Sequence, residues 1–219
     1  MTDQPSATAG GASPFESSDE FVAQSFKRLN WRGKTASDKK FERCTFSHCT
    51  FAESTFDGCI FRDCSFIDCA CRLIHVPKSR FVNVKFDKCD LTYVNWTEGV
   101  WPKAAGSNAL TFTATNVSHS TFTGLALKKL IMTGCTAHNV DFAQTDLLQA
   151  KCVETDFTDS RFHNTNLTEA DFSRAVGYVI SPVTNKVRGA KFSLPDVLSL
   201  LAAFEIVVND YPTSNLDSQ

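Results

Sequence analysis

Nine cysteines and five histidines are the residues of this chain best suited to chemistry, because thiolates and imidazoles ligate metals and act as nucleophiles or bases. Their spacing argues against most of those roles. There is no CxxC pair, and no GxSxG, P-loop, HExxH or GxGxxG segment. The cysteines instead follow a series of phenylalanines. Phe41, Phe46, Phe51, Phe56, Phe61 and Phe66 recur every five residues, and two positions before five of them stand Cys44, Cys49, Ser54, Cys59 and Cys64. Cys69, Cys89 and Cys135 hold the same small position, while Cys71 and Cys152 take a central one. An unpaired Cys is a small side chain that buries readily. The odd count and this register read as core rather than disulfide or zinc.

A five-residue period fits neither a helix nor a flat strand. Residues i−2 and i share one side of an extended backbone, so the small residue and the Phe can both point inward. An odd period would throw the next Phe outward unless the chain turned once per repeat. Four turns close a square coil of about 20 residues, and coils stack at about 4.8 Å. The expected fold class is therefore an all-β solenoid, with the central residue i inside and i+1 and i+2 forming an outward corner. In this register His48, His75, His119, His138 and His163 all face outward. His119 and His138 would lie in neighbouring coils, with Asp159 one coil further, an arrangement that resembles a metal site. It is read as solvated imidazoles, since any long repeat surface brings some such trio together. No metal or other cofactor is expected.

In chain order, residues 1–20 are rich in Ser, Gly, Ala, Pro and acids and read as a disordered arm. Residues 21–40 keep the phase through Phe21, Phe26 and Trp31. Lys34 and Lys39 would there be buried at i−2, so the segment reads as an irregular cap. Residues 41–175 are the repeat body, of about 26 repeats, or six and a half coils and roughly 30 Å. The phase of the second block, from Phe112 to Phe172, is shifted by one residue, and the segment 101–110 (WPKAAGSNAL) supplies the insertion. After Ala175 the repeat fails. Residues 176–209 read as a terminal module, with a short helix capped by Ser193 and a strand at Ile206–Val208. Residues 210–219 read as a flexible tail. The apolar surface of Leu198, Leu201, Phe204, Ile206, Val207 and Val208 exceeds what one coil end needs, and a homodimer through it is expected.

The net charge of −2 indicates no general nucleic-acid binding. No apolar run is long enough for a membrane span, and the amino terminus lacks a secretory signal, so a cytoplasmic protein is expected. Acids gather at Asp141, Asp146, Glu154, Asp156, Asp159, Glu169 and Asp171, while Arg72, Lys78, Arg80, Lys85 and Lys88 form a basic band. They are either a solvated coil surface or a patterned docking face.

The repeats Asp90-Leu-Thr, Asp141-Phe-Ala, Asp156-Phe-Thr, Asn166-Leu-Thr-Glu-Ala and Asp171-Phe-Ser resemble the A(D/N)LxX pattern of pentapeptide-repeat proteins. The overall plan is similar to the bacterial subgroup that protects type II topoisomerases, the Qnr-type quinolone-resistance and microcin-immunity proteins. The resemblance implies a right-handed quadrilateral β-helix that dimerises through its C-terminal module, imitates duplex DNA and engages DNA gyrase or topoisomerase IV. It also implies a topoisomerase-contacting loop, at Trp101, Pro102, Lys103, Ala104, Ala105, Gly106, Ser107 and Asn108. The expected function is non-enzymatic protection of the topoisomerase from a poison, as resistance or self-immunity. An interaction scaffold with another protein partner is the alternative.

Overall fold

The computed structural model describes residues 14–101 and 110–209. The chain winds into about eight turns of a parallel β-solenoid with four walls. The first wall pairs β1 (Glu20–Val22), β4 (Lys40–Glu42), β7 (Ile60–Arg62) and β9 (Arg80–Val82). The second pairs β2 (Ser25–Lys27), β5 (Thr45–Ser47), β8 (Ser65–Ile67), β10 (Val84–Asp87), β11 (Leu110–Thr113) and β12 (Ile131–Thr133) in that spatial order. Single bridges from Asn30 through Thr50, Ala70, Asp90, Asn116, Thr136 and Asp156 to Val176 make the third. The fourth begins with β3 (Thr35–Ser37) and β6 (Thr55–Asp57) and continues from His75, then from Asn95 through Thr121, Asp141 and Arg161 to Val179.

Pairing residues 20 apart stacks like on like. Phe41 lies 4.9 Å from Phe61 with rings 9° apart, and Phe122 lies 5.3 Å from Phe142 at 3°. Rings of adjacent walls meet edge-on, as Phe41 meets Phe46 at 71°. Both are favoured aromatic arrangements, so the coil uses one as its vertical and the other as its horizontal contact.

The small residue at i−2 has a second task besides leaving room. Its side chain reaches back to a carbonyl 23 residues earlier: Cys44 to Phe21, Ser54 to Trp31, Ser79 to Phe56, Thr145 to Phe122. It also accepts an N–H from the coil before, as Ser79 Oγ does from Cys59 and Ser160 Oγ from Val140. These backbone groups point into the coil, where an unpaired polar group is costly. Serine, threonine and cysteine thus fit the position by chemistry as well as by size. At the corners, residue i+2 adopts φ near +55°, for example Arg43 at 54° and Asp63 at 53°. The Asp or Asn at i−1 prepares this turn by accepting the N–H two residues on, as Asp90 does from Thr92, Asp141 from Ala143 and Asn166 from Thr168.

Both ends differ from the expectation. Residues 21–40 are a regular first coil, in register with the second at Phe21↔Phe41, Phe26↔Phe46 and Ala36↔Phe56. The i−2 side chains point towards the preceding coil. At the first coil that direction leads to the open end, so Lys34 stays exposed and Lys39 reaches Asp19 at 2.5 Å. Phe15, within the segment read as a disordered arm, is 2% exposed and closes this end against Phe21, Trp31 and Phe41. At the other end one more coil follows Ala175. It pairs Val176 with Asp156, Val179 with Arg161 and Lys186 with Asn166, and buries Tyr178 and Ile180. A short final pair, β13 (Asp171–Phe172) with β14 (Lys191–Phe192), completes the sheet.

The terminal helix spans Asp196–Phe204 and is a 3-10 helix with no buried residue. Ser193 does not cap it by its side chain; its Oγ accepts the Arg174 N–H. Ile206, Val207 and Val208 form no strand. Among the described residues no sheet edge pairs with them, and β-branched residues make a strand only where an edge offers partners.

All nine cysteines are buried and unbridged. Burial pushes the Cys59 and Cys135 thiols up from 9.0 to about 11. The buried thiol is held neutral, so its contribution to stability is complete below pH 9 and is lost as pH rises through 11. Denaturation midpoints should therefore fall between pH 9 and 11. The fall should be shallower in a Cys59→Ser/Cys135→Ser variant; equal slopes would remove the thiols as its cause.

Candidate functional site

The insertion lies where the phase slip places it. Phe86 pairs with Phe112 and Asn95 with Thr121, offsets of 26 rather than 20, so six residues more than a coil holds fall between Trp101 and Leu110. Pro102, Lys103, Ala104, Ala105, Gly106, Ser107 and Asn108 lie outside the described residues. Their entry point is well defined. Trp101 is the last central residue of its wall, stacked on Phe81 at 5.8 Å and 17°, and its indole N–H donates to the Trp96 carbonyl at 2.7 Å. Glu98, in the short helical turn Trp96–Glu98, accepts the Val76 N–H at 3.0 Å and lies 3.5 Å from His75 Nδ1. One aromatic stack, of Trp101 on Phe81, and one carboxylate, Glu98, therefore tie the start of the insertion to the coil before it.

The seven acids that cluster in the chain do not share a wall. Asp146 and Glu169 belong to the first, Glu154 and Asp171 to the second, Asp156 and Asp159 to the third and Asp141 to the fourth. Most meet a cation or donor in a neighbouring coil. Asp141 takes a two-pronged bond from Arg161 at 2.9 and 3.1 Å, Glu154 pairs with Arg174 at 2.6 Å, and Asp156 meets His138 at 2.8 Å. Asp146 meets Lys128 at 3.5 Å, Asp171 meets Lys191 at 3.9 Å, and Glu169 accepts from Gln149. Burial tends to raise the Asp141 carboxyl, but the Ala143 N–H and Arg161 outweigh it and hold the group below its ordinary range. The Ser173 hydroxyl does the same for Asp171. These acids hold corners and link coils, and linear proximity concealed that work. The basic band is likewise dispersed, with Arg80 on the first wall, Lys85 on the second and Arg72 on the third.

His119 and His138 do come together, in an open depression of about 420 Å³ that also has Arg72, Tyr93 and Asn116 along it. His119 stacks on Tyr93 at 4.6 Å and 11°, and the Arg72 guanidinium lies 5.1 Å from the centroid of the Tyr93 ring. This Arg–Tyr–His stack was not anticipated. An aromatic residue at a corner, 21 residues after Arg72 and 26 before His119, was the available signal. Among the described residues no three His, Cys, Asp or Glu are grouped to hold a metal ion.

The C-terminal module rests on the last coil through Leu200, Ser199 Oγ to the Tyr178 carbonyl, and Asp196 to the Gly177 N–H. It leaves Phe204 54%, Ile206 52% and Val207 82% exposed, while Leu198 and Leu201 are half-buried and Val208 is exposed.

Comparison with known proteins accounts for the repeat. The pentapeptide repeat region family matches residues 39–108, and the family of pentapeptide repeats in eight copies matches 138–174. Both matched stretches are pentapeptide repeats. Among solved structures it is similar to a trypsin-treated variant of QnrB1, a plasmid-mediated fluoroquinolone resistance protein. The TM-score is 0.65 at 14% identity, covering 87% of this chain and 97% of the other. Full-length QnrB1 matches at a TM-score of 0.51 and 13% identity over 85% and 100% of the two chains. HetL, a pentapeptide-repeat protein involved in heterocyst differentiation regulation in the cyanobacterium Nostoc, matches at 0.40 and 11% identity over 78% and 86%. No curated protein gives a significant match. No helix among the described residues is long and apolar enough to cross a membrane.

Proposed function

We propose that this pentapeptide-repeat protein binds a type II topoisomerase, DNA gyrase or topoisomerase IV, and protects it from a poison without catalysing a reaction. The observation that carries this reading is the likeness to QnrB1, a fluoroquinolone resistance protein, over nearly all of that chain. At 14% identity the likeness is one of fold, and function rests on the site rather than on the fold. Several of the outward charges are paired between coils, Arg161 with Asp141 and Arg174 with Glu154 among them. On this reading shape and the insertion after Trp101 carry recognition more than an acidic wall does. Two copies joined through Phe204–Val208 would form one longer rod, in the cytoplasm where the enzyme works.

Gyrase supercoiling assays with a fluoroquinolone test the proposal. The intact protein is expected to restore supercoiling in proportion to its concentration. A variant with Pro102–Asn108 replaced by a two-residue link should fold yet protect at least about tenfold less well, since loops on a rigid scaffold carry binding. Absence of protection by the intact protein, together with no capture of either topoisomerase, would favour a scaffold for another protein.

A further inference from the structure

A corner of the third wall supplies an arginine with a carboxylate. Arg32 follows the central Trp31, and its guanidinium meets Glu53, 21 residues on and in the next coil, at 2.6 Å. Arg72 stands at the same place two coils later, after the central Cys71. The position equivalent to Glu53 is there Tyr93, with φ 62° against 61° for Glu53. The same backbone therefore offers Arg72 an aromatic ring in place of an acid.

The exchange leaves Arg72 held but not neutralised. Its guanidinium lies 5.1 Å from the Tyr93 ring centroid, and His119 stacks on that ring at 4.6 Å. Arg72 belongs to the coil before Tyr93 and His119 to the coil after, so the ring is gripped from both directions along the rod. Among the described residues no carboxylate or carbonyl accepts from the exposed Arg72 side chain. A guanidinium fixed by its face presents its N–H edge with little freedom left to lose. The depression of about 420 Å³ beside it adds the Asn116 amide, whose Oδ1 is taken by the Ser118 N–H while its NH2 has no partner among the described residues. His138 is already paired with Asp156, and Asp90 Oδ1 accepts the Thr92 N–H at 3.1 Å.

We propose that this corner is a docking point for a single carboxylate, a glutamate or aspartate on the surface of a partner protein, received by the Arg72 guanidinium and the Asn116 amide. The depression holds one permanent cation, Arg72, and one acid, Asp90, so it has no excess charge to draw a polyanion. The match is geometric instead. A planar group with two oxygens fits the guanidinium edge, as Asp141 fits Arg161 at 2.9 and 3.1 Å. The hollow is open, whereas free small molecules are held by enclosure. Tyrosine and arginine are the side chains that anchor protein interfaces, and Tyr93, 44% exposed, is the one exposed Phe, Tyr or Trp of the coils among the described residues.

The experiment follows arginine side-chain NMR signals of the full chain at neutral pH. The probe is a blocked glutamate, N-acetylglutamate N-methylamide, with the matching blocked glutamine as neutral control. No topoisomerase is present, so the outcome is independent of the reading above. The Arg72 Nε–H should shift with half-saturation at about 10 mM, the strength of one charge-assisted pair. The blocked glutamine should leave it in place. The Nε–H of Arg62, exposed and with no ring over which it lies, should not respond to either probe. Tyr93→Leu removes the ring that holds the guanidinium and should raise the half-saturation by about threefold or more. Asn116→Asp keeps the corner bond to Ser118 but turns the amide donor into a like charge, so the shift should be lost. Circular dichroism should show the same β signal in both variants. The proposal is overturned by no saturable Arg72 shift up to about 100 mM probe, by an equal response of Arg62, or by wild-type affinity in Tyr93→Leu. It is also overturned if inorganic phosphate at matched ionic strength binds more tightly, which would make a phosphoryl group the ligand.

Discussion

Phe142→Ala is expected to destabilise the protein by about 3–5 kcal/mol, the range for truncating a buried Phe. Phe142 is fully buried and stacks between Phe122 at 5.3 Å and Phe162 at 5.2 Å, with Phe157 edge-on at 6.0 Å. The void cannot easily collapse. The Phe142 N–H donates to Arg161, and its carbonyl accepts from Thr145 and from Thr165 Oγ, so the walls are held at a fixed spacing by bonds in both directions. Phe142→Leu keeps most of the volume and should cost less than about 1.5 kcal/mol. Each coil contacts only its neighbours, so the loss should also show as local opening. Limited proteolysis should cut near this coil before the amino-terminal coils are attacked. A urea midpoint for Phe142→Ala equal to that of wild type would mean that the stack is not a principal source of stability.

The second large effect concerns assembly. Phe204→Asp is expected to convert a dimer into a monomer while leaving the coils intact. The terminal helix buries none of its residues, and its last residue, Phe204, with Ile206 and Val207 after it, is more than half exposed. Val179 at 68% and Val183 at 67% add apolar surface on the last coil. Isolated exposed valines are ordinary, but a group at one end of a rod marks an interaction surface. A second copy is the economical occupant, because one patch meeting itself about a two-fold axis satisfies both chains. A charge placed in such an interface loses its hydration without gaining a partner. Light scattering at micromolar concentration should report a dimer for wild type and a monomer for Phe204→Asp, with Val179→Asp showing whether the coil itself takes part. A monomeric wild type would refute the assembly.

The body of the fold was legible because its cause is local. A Phe every five residues with a small residue two before it permits one economical geometry, and the run from Phe41 to Phe66 stacks in that geometry. The nine cysteines followed from the same register, as did an insertion after Trp101, since a shift in phase requires extra residues somewhere.

What the linear pattern could not decide were matters of neighbours and ends. Lys34 and Lys39 break the i−2 rule only if another coil precedes them. Nothing in the local pattern says which coil is first, so a regular coil read as an irregular cap. The last coil was hidden by a register change: Arg161 pairs with Val179 at a separation of 18, whereas Asn166 pairs with Lys186 at 20. Asn185 there takes the inward place of a small residue, its Nδ2 donating to the Phe162 carbonyl. The acids from Asp141 to Asp171 are close in the chain because each repeat places one near a corner, and the quarter turn per repeat then spreads them over four walls. Periodicity sets which way a side chain points, in or out. Which charge meets which, and which surface is left without a neighbour, depends on the residues about 20 positions away and on where the stack stops.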